Sequence, residues 1–172
     1  MSDETERVIL VDANDNETGI APKLAAHRSG LLHRAFSVFV RNSAGEILLQ
    51  RRAYGKYHSA GLWTNTCCGH PRPGESTTVA AERRLREEMG IDCSLTEAGQ
   101  FLYRAGIGDL VEHEIDHVFS GVFDGSPRPD PDEVSEYRWV SVDSLRDWIS
   151  REPQFFTAWF SAALDQVLAA DG

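Results

Sequence analysis

The stretch Gly69–Ile91, GHPRPGESTTVAAERRLREEMGI, joins a loop rich in Gly and Pro to a segment of helical composition. Ser76 or the threonine after it can cap the start of this helix, and Gly90 can end it, which predicts a helix over Ser76–Met89. Several carboxylates lie on the helix directly after the loop. Carboxylates are hard oxygen ligands of the kind that Mg²⁺ binds.

This stretch resembles the Nudix box, in which Gly, Glu, Arg-Glu, Glu-Glu and Gly recur at fixed spacings. The matching residues are Gly69, Glu75, Arg83, Leu85, Glu87, Glu88, Gly90 and Ile91. Where the box has a second carboxylate after Arg83, the chain has Arg84. A cation there disfavours the metal cluster with which hydrolytic Nudix enzymes activate water, and suits a bound phosphate. Ion pairs four residues apart on a surface helix would explain the charges but not the preceding loop.

Strands and further helices surround this stretch without any internal repeat. Residues 7–12 predict a strand that enters a turn, and residues 35–53 predict a hairpin whose second arm ends in Arg51 and Arg52. A long irregular loop over 53–75 follows. Residues 101–123 and 137–142 are strand-like, a helix is expected to begin at Asp143 or Ser144, and residues 153–170 predict an amphipathic helix. The interleaving favours an α/β sandwich with a mixed sheet.

One strand carries alternating carboxylates. Glu112, Glu114 and Asp116 share one face, because side chains alternate along a strand. Val111, His113, Ile115 and His117 share the other face.

The overall charge excludes some partners, and its distribution suggests another. The chain has 172 residues and a net charge of −10, which argues against generic binding to nucleic acid or anionic membranes. Between Thr18 and Arg72, however, eight bases accompany one acid, which favours an anionic ligand. An acidic start, no long apolar run and an odd number of cysteines favour a reduced, cytoplasmic protein without a membrane span.

Motifs that run into the Nudix box or lie beyond it resemble type I isopentenyl diphosphate isomerases, a Nudix family that performs no hydrolysis. The motifs are Trp63-Thr64-Asn65, Cys68-Gly69-His70-Pro71, Tyr103-Arg104-Ala105 and Val111-Glu112-His113-Glu114. The resemblance implies one Nudix-like α/β/α sandwich domain over residues 1–172, a mixed β-sheet and additional N-terminal strands. It also implies an isomerase that interconverts isopentenyl and dimethylallyl diphosphate, in isoprenoid precursor synthesis, by adding one proton and removing another.

The resemblance also assigns roles to individual residues. Cys68 is expected to be the base, and Glu114 with Tyr103 to form the acid side. Trp159 would present its π face to a tertiary cation. The diphosphate-contacting residues would be Lys23, Arg52, Lys56 and Arg84. Cys67 receives no catalytic role, and His58, His113 and His117 are expected to be structural.

The resemblance further implies two divalent-metal sites. The first would hold Mn²⁺, or Zn²⁺ or Mg²⁺, on His27, His33, His70, Glu112 and Glu114, with Cys68 as a further candidate ligand. The second would hold Mg²⁺ on the diphosphate and be reached by Glu88. No local spacing links the three histidines, so this assignment depends on the resemblance alone.

Two short segments depart from the family pattern. The segment FTAW, which ends at Trp159, stands where Phe-Ser-Pro-Trp is commoner, and Arg34 stands where an aliphatic residue is usual. Both departures concern the pocket wall. The expected partner is a small-molecule substrate and the expected state is a monomer. A Nudix pyrophosphohydrolase and a catalytically silent Nudix-like binding module remain the alternatives.

Overall fold

A computed structural model describes residues 5–171, and their strands form one mixed sheet. The elements are β1 (Arg7–Val11), β2 (Glu17–Pro22), α1 (Lys23–Ser29), β3 (His33–Arg41), β4 (Ile47–Arg52), β5 (Trp63–Thr64), β6 (Cys67–Gly69), α2 (Thr77–Met89), β7 (Thr96–Ile107), β8 (Leu110–Val122), β9 (Val134–Val140), α3 (Val142–Arg151), a 3₁₀ turn (Pro153–Phe155) and α4 (Phe160–Asp171). None of the helices between residues 5 and 171 is both long enough and apolar enough to cross a bilayer.

The predicted hairpin of β3 and β4 forms but opens directly after its turn. The two strands pair at Arg41 and Ile47. Beyond that point β3 pairs antiparallel with β6 and parallel with β8, whereas β4 pairs with β5 and β9. The long loop after β4 therefore supplies two short strands, β5 and β6, which enter the space between the separated arms.

Alternation along β3 places one core on each face of the sheet. Val38 packs with Leu85 of α2 on one face. Phe39 packs with Leu145 of α3 and Phe160 of α4 on the other. Since successive strand side chains point to opposite faces, the single strand β3 supports both layers. The predicted α/β/α sandwich with a mixed sheet is confirmed.

The helix of the Nudix-like stretch has the predicted limits. The Ser76 side chain accepts a hydrogen bond from the Val79 backbone N–H at 3.2 Å, which caps the N-terminus. Gly90 ends the helix with a φ of 62°, in the left-handed region that glycine adopts without steric cost.

The prediction for residues 153–170 is wrong at its start. Phe156 is extended and bridges to Trp63, and α4 begins only at Phe160. Tertiary pairing with β5 overrides the helical periodicity there, so Trp159 lies just before the helix. The preceding helix, α3, begins at Val142 and is capped by Ser141, slightly earlier than expected.

Candidate active site

One cavity opens at the side of the sheet where β3, β6 and β8 meet α2. Its empty volume is about 830 Å³ when the open mouth is included. Most of the residues singled out by sequence line it: Lys23, Arg52, Lys56, Cys68, His70, Arg84, Glu88, Glu112, Glu114 and Trp159. The lining does not include His27, His33 or Tyr103.

The register of the strands brings together the polar side chains that β3, β6, β7 and β8 contribute around the cavity. On β3 and β8, which are parallel, His33 lies opposite Glu114. On β3 and β6, which are antiparallel, Ser37 lies opposite Cys68. On β7 and β8, Tyr103 lies opposite Glu114. Because the side-chain period of a strand is two, these pairings place acids, imidazole and thiol on one face.

Gly69 is required in this wall. A Cβ there would lie 2.8 Å from Phe36 Cζ, closer than real side chains approach. The glycine therefore lets β6 pass close beneath Phe36, and this passage sets the position of Cys68, the residue before it.

Four predicted metal ligands converge. Each of His27, His33, His70 and Glu114 offers one ligand atom, and these four atoms lie within 4.8 Å of one another. His27 Nε2 and His33 Nε2 are buried without a hydrogen-bond partner among residues 5–171. Buried nitrogens that lack partners are costly unless something binds them. This donor set of three imidazoles and a carboxylate therefore fits a divalent transition-metal ion.

The other ring nitrogens of two histidines are already engaged. His33 Nδ1 donates to the Leu31 carbonyl at 2.8 Å, and His27 Nδ1 lies 2.9 Å from the Tyr57 hydroxyl. The carbonyl contact places the His33 proton on Nδ1 and leaves its Nε2 available as a ligand. His27 Nε2 is available in the same way when His27 Nδ1 donates to the Tyr57 hydroxyl. His27 Nε2 and His33 Nε2 are the two nitrogens that lack partners.

The fifth predicted ligand, Glu112, and the further candidate, Cys68, stand outside this group of four. Glu112 is 3% exposed; its Oε1 lies 3.3 Å from His58 Nε2, and its Oε2 has no hydrogen-bond partner in the described part of the chain. Its free oxygen keeps Glu112 available as an additional ligand. The Cys68 thiol instead donates to Asn65 Oδ1 at 3.1 Å, which directs its proton away from the histidines.

The pKa values of the two glutamates of β8 are shifted in opposite directions. Burial raises the pKa of Glu112 well above its ordinary value, and the neighbouring Glu114 carboxylate adds to the rise. Burial also opposes ionisation of Glu114, but the neighbouring imidazoles of His33, at 3.5 Å, and His70, at 3.1 Å, together outweigh it and lower the pKa of Glu114. Burial lowers the pKa of His27 to about 3, so this imidazole is neutral, as a metal ligand must be.

The adjacent cysteines point in opposite directions. Cys67 is fully buried in the core beneath α2, whereas Cys68 lines the cavity. Burial, followed by the charge of Asp116, raises the pKa of the Cys68 thiol to about 12. The protein therefore holds Cys68 as a neutral thiol.

Tyr103 and Trp159 are two aromatic residues near Cys68 and Glu114, and their polar atoms are in different environments. The Tyr103 hydroxyl is buried without a hydrogen-bond partner among residues 5–171, and burial raises its pKa, so the phenol stays protonated. Trp159 is 6% exposed, and its Nε1 donates to Asn65 Oδ1 at 3.3 Å. The Arg52 guanidinium lies 5.7 Å from the centre of the Trp159 ring.

Three of the four predicted diphosphate-binding cations are paired with carboxylates, whereas Arg52 donates to the His58 carbonyl at 3.3 Å. Lys23 Nζ lies 3.2 Å from Glu6, and Lys56 Nζ lies 2.6 Å from Glu133. Arg84 contacts Glu88 at 2.7 Å and Glu133 at 3.6 Å. These partners hold the cations at the cavity mouth, where an incoming phosphate would have to replace them.

Glu88 is held from two sides. The Arg84 guanidinium donates to its Oε1 at 2.7 Å, and the Gln50 amide donates to its Oε2 at 3.4 Å. Burial opposes ionisation of Arg84, but the charges of Glu88, Glu87 and Glu133 together outweigh it and raise the pKa of Arg84. Glu88 is only 7% exposed, so its carboxylate has one defined orientation at the cavity.

The two departures from the family pattern have structural explanations. Arg34 bonds Asp15 at 2.9 Å and Glu17 at 3.2 Å, an interaction with the β1–β2 turn outside the cavity lining. Thr157, in the FTAW segment, forms a hydrogen bond with the Thr64 hydroxyl at 2.9 Å. The first departure leaves the cavity wall unaffected, and the second anchors the wall segment that carries Trp159.

Sequence reasoning missed several cavity residues. His58, interpreted as structural, lines the cavity beside Glu112. Asp116 shares the predicted carboxylate face of β8; it is buried, lines the cavity and accepts a hydrogen bond from Ser37 Oγ at 2.8 Å. Its position on that face was the available signal. Glu6 and Glu133 carry no motif, so only their contacts identify them.

Comparison with known proteins places this geometry in a family. The NUDIX domain model matches residues 31–160. The chain is 54% identical to the isopentenyl-diphosphate Delta-isomerase of Serratia proteamaculans over 90% of this chain and 87% of that protein. It is 52% identical to isopentenyl-diphosphate Delta-isomerase 2 of Aromatoleum aromaticum over 95% of this chain and 87% of that protein.

Solved structures share the fold. The DR0079 protein of Deinococcus radiodurans aligns with a TM-score of 0.72 and 23% identity, covering 85% of this chain and 90% of that one. The MutT protein of Methanosarcina mazei Go1 aligns with a TM-score of 0.67 and 26% identity, covering 81% and 95%. With the fold, the box and the thiol-containing cavity in agreement, the chain belongs to the Nudix superfamily and, within it, to the isopentenyl-diphosphate Delta-isomerases.

Proposed function

We infer that the chain interconverts isopentenyl diphosphate and dimethylallyl diphosphate, the reaction named for its relatives. The observation that carries this inference is a single cavity that combines a thiol, Cys68, and a carboxylate, Glu114, with an aromatic face and a cationic mouth. A double-bond shift on a small alkene needs an acid, a base and a water-poor aromatic surface, together with an anchor for the diphosphate.

The reaction adds one proton to the substrate and removes another, so one group must act as the acid and another as the base. Toward dimethylallyl diphosphate, one proton is added at C4, the terminal alkene carbon, and one is removed at C2, beside the diphosphate-bearing carbon. Cys68 Sγ takes the C2 proton, and Tyr103 with Glu114 supplies the C4 proton. Forward turnover starts from the Cys68 thiolate and ends with the neutral thiol, the state that burial favours. One proton then returns from Cys68 through solvent to the Tyr103–Glu114 side before the next forward turnover. Trp159 stabilises the tertiary cation between the two steps by about 2 kcal/mol.

The cationic mouth anchors the substrate. Lys23, Arg52, Lys56 and Arg84 line the same cavity, and Arg84 replaces a carboxylate of the box with a phosphate-binding group. Anchoring the diphosphate there leaves the five-carbon chain to enter toward Cys68 and Trp159. The mouth thus determines which end of the substrate meets the reacting groups.

Nudix enzymes use divalent metals, and the cluster of His27, His33, His70 and Glu114 supports one site, to which we add a second at Glu88. His27, His33, His70 and Glu114, joined by Glu112, would hold Mn²⁺, or Zn²⁺ or Mg²⁺, and Glu88 would reach Mg²⁺ on the diphosphate. When bound, such ions neutralise phosphate charge and fix the ionisation of the carboxylates around them. Glu114 serves both as ligand and in proton transfer.

The proposal also covers the domain organisation, partners, oligomeric state and cellular location of the protein. We propose one domain over residues 1–172, a small-molecule substrate, no nucleic-acid or membrane partner, and a monomeric state. A cytoplasmic location is supported by chemistry that needs Cys68 as a thiol, and by three free cysteines in the described structure.

The test is incubation of the purified protein with isopentenyl diphosphate and Mg²⁺, followed by product analysis. Dimethylallyl diphosphate should form without phosphate release. A nucleotide panel serves as the comparison: phosphate or nucleoside monophosphate released from it, with no allylic product, would favour the hydrolase alternative. Substrate binding without either reaction would favour the silent binding module.

A further inference from the structure

Asn65 lies directly behind the reactive wall of the cavity. It sits between β5 and β6, is 0% exposed and does not line the cavity. A carboxamide that is fully buried must satisfy all of its polar atoms within the protein. Its partners therefore determine what it can hold in place.

The orientation of this amide follows from its neighbours. Asn65 Nδ2 donates to the Val38 carbonyl at 3.1 Å and to the Cys67 carbonyl at 2.8 Å. Both carbonyls are acceptors only, so the amide nitrogen must lie on that side. The oxygen is consequently held on the opposite side, toward Cys68 and Trp159.

That single oxygen connects the thiol to the indole. Asn65 Oδ1 accepts from Cys68 Sγ at 3.1 Å and from Trp159 Nε1 at 3.3 Å, although Trp159 lies 94 residues away along the chain. The Thr64 hydroxyl also donates to it at 2.8 Å. Because that hydroxyl has given its proton to Asn65, it accepts from Thr157 Oγ1 at 2.9 Å, which adds a second connection to the Trp159 segment.

We propose that Asn65 is a positioning residue for the isomerisation, which holds Cys68 Sγ and the Trp159 ring in one fixed relation. The proposal rests on the proposed function. The proton acceptor and the aromatic face must address neighbouring carbons of one small substrate, yet they come from distant segments. A misplacement of about 1 Å can cost about 10²-fold in rate. The neutral amide also accepts from the thiol without placing a charge beside the carbocation.

The principal test compares Asn65→Ala with Thr66→Val. Thr66 lies in the same buried segment, where its hydroxyl bonds Val40 N–H and the Leu48 carbonyl without touching Cys68 or Trp159. Asn65→Ala should lower kcat by about 30- to 100-fold with KM unchanged within about twofold. Thr66→Val should lose thermal stability and keep kcat within about threefold. Equal losses of kcat in the two variants would overturn the proposal.

A binding measurement supplies a readout that general destabilisation would not move. The probes are inorganic pyrophosphate and a diphosphate whose protonated amine replaces the tertiary carbon, mimicking the cation. By calorimetry, Asn65→Ala should weaken the amine diphosphate about tenfold more than pyrophosphate, because the indole loses its anchor. Equal weakening of both probes would contradict the proposal.

Should Asn65→Ala not fold, Thr157→Val makes the same test through the second connection. It should lower kcat about fivefold with KM unchanged, and an unchanged kcat would count against the proposal. Failure of the wild type to isomerise would instead reject the proposed function, so the two failures remain distinguishable.

Discussion

The two ends of the cavity handle their charge in opposite ways. At the β3–β8 end, His27 and His33 present buried nitrogens that lack hydrogen-bond partners among the described residues. At the mouth, Lys56 and Arg84 already contact carboxylates. The first end has imidazole lone pairs without partners, which suit a cation, whereas at the second end Lys56 and Arg84 are paired with carboxylates that an incoming anion must displace.

A cation at the first end and an anion at the second are therefore bound for different physical reasons. Buried imidazole nitrogens without hydrogen-bond partners favour binding of a metal ion, because leaving such polar atoms unpaired in the interior costs free energy. Ion pairs at a partly exposed mouth are worth less, and they can be exchanged for a phosphate that makes stronger bidentate contacts. Substitutions at the first end should therefore act on chemistry and metal content, and those at the second on substrate affinity.

The largest effect should follow from Glu114→Gln. This carboxylate is proposed both as ligand and in proton transfer, so kcat should fall by about 10⁴-fold and bound metal should decrease. Steady-state kinetics and mass-spectrometric metal analysis measure the two effects. The control is Glu97→Gln, because Glu97 also pairs with a histidine but lies outside the cavity lining. Full activity with a full metal complement in Glu114→Gln would remove the basis for treating this end as the reactive one.

Cys68→Ala should lower kcat by about 10³-fold while metal content and pyrophosphate binding persist. The neighbouring Cys67→Ala should remain active, because its sulfur lies in the core and not on the cavity wall. Product analysis in heavy water checks the assignment: wild type should yield deuterated dimethylallyl diphosphate and the Cys68 variant should not. If Cys67→Ala were the inactive variant, the base would have been assigned to the wrong sulfur.

Lys56→Ala should raise KM by about 10- to 100-fold, the equivalent of losing a charged hydrogen bond worth about 1.5–3 kcal/mol. Because Lys56 is assigned to binding, kcat should change far less. The matched control is Arg146→Ala, which removes an exposed cation from α3. A loss confined to kcat would show that the mouth takes part in the chemistry, and the distinction between the two ends would fail.

The smallest effect should follow from Glu133→Gln. Glu133 contacts Lys56 at 2.6 Å and Arg84 at 3.6 Å, so it competes with the incoming diphosphate. Removing its charge should lower KM by about two- to fivefold, in line with the modest worth of such pairs. Glu136→Gln, which removes the partner of Arg51 outside the cavity lining, should leave KM unchanged. A rise in KM for Glu133→Gln would mean that Glu133 orients the cations for the substrate.

Much of the fold was predictable from local pattern. The helix after Ser76, its end at Gly90 and the carboxylate face of β8 follow from capping, glycine geometry and strand alternation. The start of α4 was not predictable in this way. Phe156 has helical periodicity with Phe160, yet its pairing with Trp63 across the fold holds it extended.

The candidate site shows the same division. The box spacing, Cys68 and the paired glutamates can be identified from sequence, because short motifs place those groups on a known loop, helix or strand. The convergence of His27, His33 and His70 cannot be identified from local spacing, since these residues come from α1, β3 and the loop after β6. Only the family resemblance predicted it.

Local sequence patterns were sufficient to predict the family, the residue types that carry the chemistry and most of the helices and strands that hold them. Tertiary structure alone decided that Asn65 joins Cys68 to Trp159, that His58 stands beside Glu112, and that Glu133 occupies the cationic mouth. Helix capping, strand alternation and motif spacing depend on residues only a few positions apart, so they can be recognised in the sequence. Hydrogen bonds and ion pairs between distant segments depend on how the opened β3–β4 hairpin and the segment before α4 pack together.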